Sequence, residues 1–250
     1  MRQPFSKSPA LEACENMGII FKKEVSAYFS TPFGFIFMGI FLLFSGIIFT
    51  TYNLVGGGGD LNGMFGLFSN ISFMIFPVLT IKMFADERRN GTESILLTSR
   101  LTATQIVLGK YFAACFLFLV TLAVTGVYVV ILTIYGFPYM SAIVGSYIGF
   151  FLLGAAFISV CTFTASLADN AVTAAVSSFG ALVGLVMAGA FSRTLEIPVL
   201  SQILSALAIT RQYDEFIRGI FRPGPVVYFI GFSAVFLCLA VVSLSRRRFA

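Results

Sequence analysis

The residue types that most often perform catalysis are scarce in this sequence. The 250-residue chain has no histidine, which excludes nucleophilic sites of the Ser-His-Asp and Cys-His kinds. Its four cysteines form no Cys-x-x-Cys pair, and Cys115, Cys161 and Cys238 lie inside apolar stretches. A zinc or thiol-redox site is therefore not expected, and these cysteines are interpreted as small packing residues.

Two glycine-containing stretches are candidates for phosphate binding. The four glycines at residues 56–59 are not followed by the Lys-Ser/Thr pair that a P-loop places before a helix. Gly109-Lys110 lacks both the upstream glycine and the hydroxyl residue of that motif. We therefore expect no nucleotide site, no cofactor, no metal and no enzyme activity in this chain.

The densest cluster of charge lies between two apolar segments, at residues 86–93. Overall the chain is 58% hydrophobic and only 11% charged, whereas a soluble domain carries about 25% charged residues. A compact charged hairpin at a membrane face, in a chain with no soluble domain, predicts a docking point for a soluble partner. Its charged residues are Asp86, Glu87, Arg88, Arg89 and Glu93.

Other interpretations of this cluster stay open. Each charge could simply be solvated or face lipid headgroups. Glu87 and Arg88 could equally pair within the chain, with Lys22 or Glu24 of a preceding helix.

The elements that position the cluster are predicted by continuous apolar runs. Such runs near 20 residues long indicate membrane-spanning helices rather than strands. We predict one all-α integral membrane domain over residues 1–250, with Pro77 kinking its second span and Asp169 capping the helix of its fifth. The six predicted transmembrane helices are 33–52, 66–82, 108–135, 142–167, 172–191 and 226–244.

Three further segments complete the predicted fold. Residues 11–29 have one apolar face at helical spacing, which predicts an N-terminal interfacial helix that ends before Pro32. The charged hairpin covers residues 83–105, and Thr102 with Gln105 has the spacing of a capping box that begins the third span. Residues 196–222 predict short extracytoplasmic helices between spans 5 and 6, whose charged residues include Arg211, Asp214, Glu215 and Arg218.

The positions of Lys and Arg predict the orientation. Twelve of them lie in the N-terminal segment, the 82–110 region and the C-terminal tail, whereas four lie in residues 192–225. This distribution places both termini and the charged hairpin in the cytoplasm. It also accounts for the net charge of +5 without a basic surface for nucleic acid.

Three groups of residues form motifs that can be compared with known families. The first is Phe84-Ala85-Asp86-Glu87-Arg88-Arg89-Asn90-Gly91-Thr92-Glu93, followed by Leu96-Leu97. The second is Ile106-Val107-Leu108-Gly109-Lys110. The third is Phe216-Ile217-Arg218-Gly219, followed by Val226-Val227-Tyr228-Phe229. Together they resemble the type-2 ABC exporter permeases, and within them the gliding-motility-associated group. The resemblance covers nearly the whole chain, although the family usually has Glu at the position of Asp86 and a proline near Arg100.

The resemblance implies the permease subunit of an ABC transporter in the plasma membrane of a prokaryote. Mg-ATP would bind a separate ABC ATPase, and two permeases would pair as a homodimer or a related heterodimer. An extracytoplasmic auxiliary protein and membrane lipid are further implied partners. The hairpin would be the ATPase-coupling element, formed by Asp86, Glu87, Arg88, Arg89, Gly91, Thr92 and Glu93.

Two other functions are weighed against transport driven by an ATPase. A non-transporting membrane scaffold, or a mechanotransmission subunit bound to an ATPase, fits the same sequence. An ion-coupled carrier is disfavoured because no span centre holds an ionisable residue. The polar residues within the spans could line a path for amphipathic cargo or could simply pack helices; they are Thr121, Thr125, Thr162, Thr164, Ser177 and Ser178.

Overall fold

The computed structural model describes residues 9–57, 60–83, 101–135, 140–191, 209–217 and 223–249. Every regular element within these ranges is helical, which confirms the predicted all-α fold. The helices are α1 (Pro9–Ser30), α2 (Pro32–Phe49), α3 (Leu61–Ser72), α4 (Pro77–Met83), α5 (Ala103–Val124), α6 (Gly126–Tyr135), α7 (Met140–Leu167), α8 (Ala171–Phe191), α9 (Ile209–Ile217) and α10 (Pro223–Phe249). A π-helical turn, Thr50–Val55, continues α2.

Five helical stretches in the described residues are long and apolar enough to cross a membrane. They are Pro32–Val55, Ala103–Ile134, Ala142–Leu167, Ala171–Gly189 and Pro223–Arg246. They correspond in position to the first, third, fourth, fifth and sixth predicted spans. The chain is therefore a multi-span helical membrane protein.

The predicted second span, residues 66–82, is not one continuous helix. α3 ends at Ser72, residues 73–76 form a turn, and α4 begins at Pro77. Proline lacks an amide hydrogen and its ring collides with the carbonyl four residues earlier, so the helix breaks over this interval. The kink expected at Pro77 is present as an interruption of the α-helix, across which i→i−3 backbone bonds such as Ile75 N to Ser72 O remain.

Buried aromatic rings show how the segments run relative to one another. Phe37 of α2 contacts Phe76, with ring centroids 6.1 Å apart, and Phe41 contacts Phe68 at 4.8 Å. Later residues of α2 therefore contact earlier residues of the α3–α4 segment. The broken pair α3–α4 therefore returns antiparallel to α2 along most of its length.

The later helices follow the same alternation. Thr125 of the α5–α6 junction bonds Tyr147 of α7 through their hydroxyl oxygens at 3.2 Å, whereas Tyr111, near the start of α5, donates to the carbonyl of Ala155 at 3.4 Å. α7 is therefore antiparallel to α5. Further along α7, Phe163 contacts Phe236 of α10 at 5.9 Å.

The bundle has two chemically different ends. We call the end that holds Glu24, Met83, Lys110 and the α7–α8 turn the proximal end, and the opposite end, with Gly56, Asp60 and α9, the distal end. Lysine and arginine residues whose side chains the structure describes are confined to the proximal end: Lys22, Lys23, Lys110 and Arg246. Arg211 belongs to distal α9, and its side chain is outside the described part.

Local sequence signals set most helix ends. α1 stops at Ser30, Thr31 is extended, and Pro32 is the first residue of α2, as predicted. The capping box at α5 is confirmed, because Thr102 and Gln105 exchange side-chain-to-backbone hydrogen bonds of 2.9 and 3.3 Å. The prediction that Asp169 caps α8 is wrong. Asn170 does so, accepting from the Thr173 amide at 2.8 Å.

Candidate functional site: a buried ion pair at the root of the charged segment

A buried ion pair joins the helices on either side of residues 84–100, which we call the charged segment, to helix α1. Lys110 lies two turns into α5, and its Nζ donates to Glu24 Oε1 of α1 at 2.9 Å. The same ammonium donates to the carbonyl of Met83, the last residue of α4, at 2.6 Å. Lys110 is 2% exposed and Glu24 is 8% exposed, so water contributes little to either charge.

The chemistry of the pair explains why both charges are tolerated inside an apolar bundle. A buried charge is costly unless it is paired and hydrogen bonded. Lys110 neutralises Glu24, and it also satisfies the Met83 carbonyl, one of the four at a helix C-terminus that lack an intrahelical donor. A cation at that position is further favoured by the dipole of α4. The removal of either partner would therefore deprive the other buried charge of its bonded counterion.

Close packing surrounds the pair. A Cβ atom placed on Gly109 would lie 2.7 Å from Cγ2 of Ile20, so only glycine lets α1 approach α5 this closely. Met83 is 1% exposed, and its sulfur accepts a weak hydrogen bond from Thr162 Oγ1 of α7 at 3.6 Å. The end of α4 is thus held by contacts with α5 and α7.

The predicted coupling residues of the hairpin lie outside the described residues. They are Asp86, Glu87, Arg88, Arg89, Gly91, Thr92 and Glu93. What the structure describes is their anchorage: α4 ends one residue before the segment, and the Thr102 cap follows it by two. Both flanks are fixed, one by the Lys110 ammonium and the other by the capping box.

The sequence allows Glu24 to pair with a charge of the predicted hairpin, whereas the structure pairs it with Lys110. Helical spacing carried a signal for its burial, because Glu24 falls between Phe21 and Tyr28 on the apolar face of α1. Lys110 is likewise the one charged residue in the apolar run that follows the Thr102 cap. An acid on one apolar face and a base on another are together a signal for a buried pair.

The predicted outer residues have different outcomes. Asp214 and Glu215 lie on α9 and are half-buried, Arg211 is also on α9, and Arg218 lies outside the described residues. On the same helix, immediately before Asp214, the Tyr213 hydroxyl is fully buried and has no hydrogen-bond partner among the described residues. Burial, and secondarily the charge of Asp214, raises the pKa of Tyr213 well above its usual value.

The polar residues proposed to line a cargo path are occupied within their own helices. Thr121, for example, donates to Leu117 O at 2.8 Å, and Ser178 donates to Ala174 O at 2.7 Å. Thr164 also bonds Ser178 across the α7–α8 contact at 2.6 Å. Similar bonds to their own helices are made by Thr125, Thr162, Thr164 and Ser177. This pattern favours helix packing over an internal path through one subunit.

Comparison with protein-family models and with curated proteins gave no match to this chain. The likeness to ABC exporter permeases therefore rests on the sequence motifs described above.

Proposed function

We propose that this chain is the permease subunit of an ABC transporter, moving substrate across a membrane with energy from a separate ATPase. The observation that carries the proposal is the anchorage of the 84–100 segment. In the sequence, a dense run of charge lies between two helices that are tied to each other, and to α1, by the bonds of Lys110 with Glu24 and the Met83 carbonyl.

This anchorage is suited to transmit movement. A force applied to the charged segment would reach α4 and α5 together, because the Lys110 ammonium of α5 bonds the last carbonyl of α4. α1 would follow through Glu24. The permease itself needs no nucleotide site for this role, which agrees with the lack of a P-loop signature in the sequence.

The proposed orientation places the proximal end in the cytoplasm, with both termini and the charged segment on that side. Lysines 22, 23 and 110 and Arg246 lie at this end, as the positive-inside rule expects. In this topology α3 and α4 together form the second of six spans. Their residues 61–83 would measure about 35 Å as one helix, which is enough to cross a hydrocarbon core.

The remaining partners follow from the same proposal. Two permeases, identical or related, would flank the transport path, and each would receive one ABC ATPase at the proximal end of the bundle. An auxiliary protein would contact the distal α9 region. The protein would reside in the plasma membrane of a prokaryote.

Capture of the ATPase tests the proposal. The chain is expressed with its candidate ATPase, purified in mild detergent and assayed for bound ATPase and for its stimulated activity. Arg88→Glu with Arg89→Glu should abolish capture, because both cations of the charged segment are reversed. Arg211→Glu with Arg218→Glu makes the same change of charge in the distal region and should leave capture intact.

Two outcomes would contradict parts of the proposal. Equal capture by the two double variants would mean that the charged segment does not receive the ATPase. Capture that depends on Arg88 and Arg89, without ATP-driven movement of any lipid, peptide or sugar in reconstituted vesicles, would favour the scaffold or mechanotransmission alternative over transport.

A further inference from the structure

An apolar groove of about 460 Å³ lies between α1 and α5. Met17, Gly18 and Phe21 line its α1 side, and Phe112, Phe116 and Leu119 line its α5 side. The groove is separate from the ion pair, although both lie along the same helix contact. It plays no part in the proposed coupling of the charged segment to an ATPase.

The sequence produces this groove in two ways. Phe112, Phe116 and Leu119 recur at helical spacing and form an exposed stripe about 10 Å long on α5. Opposite them, Gly18 has no neighbouring atom within 4 Å of the position of a Cβ, so it leaves a recess in the wall of α1. Phe21 and Phe116 meet edge to face at 5.8 Å and bound the recess on one side.

Among the charged side chains that the structure describes, the one next to the groove is positive. Lys22 follows Gly18 by one helical turn, so it lies on the same face of α1, and its side chain is exposed. Glu24, the acid that follows it on α1, is already neutralised by Lys110. An apolar slot with an exposed lysine beside it is complementary to a molecule that has a hydrocarbon chain and an anionic head.

We propose that the groove between α1 and α5 binds an anionic phospholipid, with an acyl chain along Phe112, Phe116 and Leu119 and the phosphate beside Lys22. The acyl chain would fill the recess at Gly18, and the ammonium would attract the headgroup as polybasic segments attract acidic lipids. The bound lipid would join α1 to α5 independently of the ion pair. The inference does not depend on the proposed transport function.

Photolabelling of the full chain in lipid vesicles tests the inference. The probe is a phosphatidylglycerol with a photoactivatable acyl chain, present as a minor component of phosphatidylcholine vesicles, and labelled peptides are mapped by mass spectrometry. The wild-type chain should be labelled on α5 around Phe112–Leu119. Gly18→Leu fills the recess and should remove most of this labelling. The matched control is Gly39→Leu on α2, where the new side chain also meets open space; it should leave the labelling of α5 unchanged.

The headgroup is tested with a second variant and a second probe. A phosphatidylcholine of the same acyl structure should label the wild-type groove less than the phosphatidylglycerol probe does. Lys22→Gln should reduce this preference about five-fold, since one lysine near a membrane surface contributes roughly 1 kcal/mol to anionic lipid binding. Labelling elsewhere on the lipid-facing helices should not change.

Three results would overturn the inference. Groove labelling that persists in Gly18→Leu, with the variant folded by circular dichroism, would show that no acyl chain occupies the recess. Equal labelling of the wild-type groove by both probes would remove the role of Lys22. A Gly18→Cys variant, made with Cys14 and Cys238 replaced by Ala, that forms an intermolecular disulfide in vesicles would assign the groove to a contact between two copies of the chain.

Discussion

The buried pair of Lys110 and Glu24 makes a strong prediction about stability. We consider three variants: Lys110→Met, Glu24→Met, and the two substitutions combined. Methionine approximates the volume of both side chains, so the substitutions mainly remove charge and hydrogen bonds. The two single variants each deprive one buried charge of its bonded counterion, whereas the combined variant removes both charges.

The expected magnitudes follow from this difference. Each single substitution should lower the free energy of unfolding by about 3–5 kcal/mol, the usual loss when one partner of a buried pair is removed. If the two effects were independent, the double variant would lose about 6–10 kcal/mol. Replacement of a whole buried pair by apolar residues is often neutral, so the double variant should lose mainly the charged hydrogen bond to the Met83 carbonyl, about 1.5–3 kcal/mol.

Unfolding can be followed without tryptophan, which the chain lacks. Cys115 and Cys161 are buried, so their reaction with a thiol-specific dye reports loss of the packed bundle during titration from mild detergent into dodecyl sulfate. Cys238 is exposed and supplies the starting signal. A double variant whose loss equals the sum of the single losses would refute the reasoning, because the two charges would then not interact.

Three further substitutions test neighbouring features by the same unfolding assay. Gly109→Ala should destabilise by about 1–3 kcal/mol through overpacking against Ile20, and Ile20→Ala should relieve the added clash, so the two losses should not add. Asn53→Leu should stabilise by about 1–3 kcal/mol, because the buried Asn53 amide has no hydrogen-bond partner among the described residues; a loss of stability would show that the amide is satisfied. Above pH 10 the Tyr213 phenol ionises in the unfolded chain but keeps its proton in the folded protein, so the free energy of unfolding of the wild type should fall as the pH rises. Tyr213→Phe should make that fall shallower, and identical slopes would contradict the burial of the phenol.

The membrane class, the helical fold and several helix ends could be predicted from local signals. Apolar run length is sufficient to identify a spanning helix, and the capping box at Thr102 needs only residues three apart. The break before Pro77 also follows from one residue's covalent structure. The cap at residue 169 was predicted wrongly because Asp169 and Asn170 are adjacent and equally suited to cap, and helix register decides between them.

The candidate site could be predicted only in part. The charged segment is conspicuous because charge is rare in this chain, but the group that anchors it comes from residues far apart in sequence. Glu24 and Lys110 are separated by 86 positions, and their contact depends on the approach of α1 to α5 at Gly109. Periodicity can show that each residue lies on an apolar face, but it cannot show which buried charge meets which.

The position of the helix break bears on how movement at the charged segment would spread. α4 has only seven residues, bounded by the 73–76 turn on one side and by the Lys110 contact on the other. Across the turn the α-helical bonds give way to i→i−3 bonds, such as Ile75 N to Ser72 O and Val78 N to Ile75 O, so α4 can shift without carrying α3 as a rigid rod. α5, in contrast, continues unbroken from its cap for 22 residues. Lys110 is part of α5 and bonds the last carbonyl of α4, so a displacement of one proximal end would reach the other. We expect this displacement to be absorbed within α4 but transmitted along α5, which makes α5 the route to the centre of the bundle.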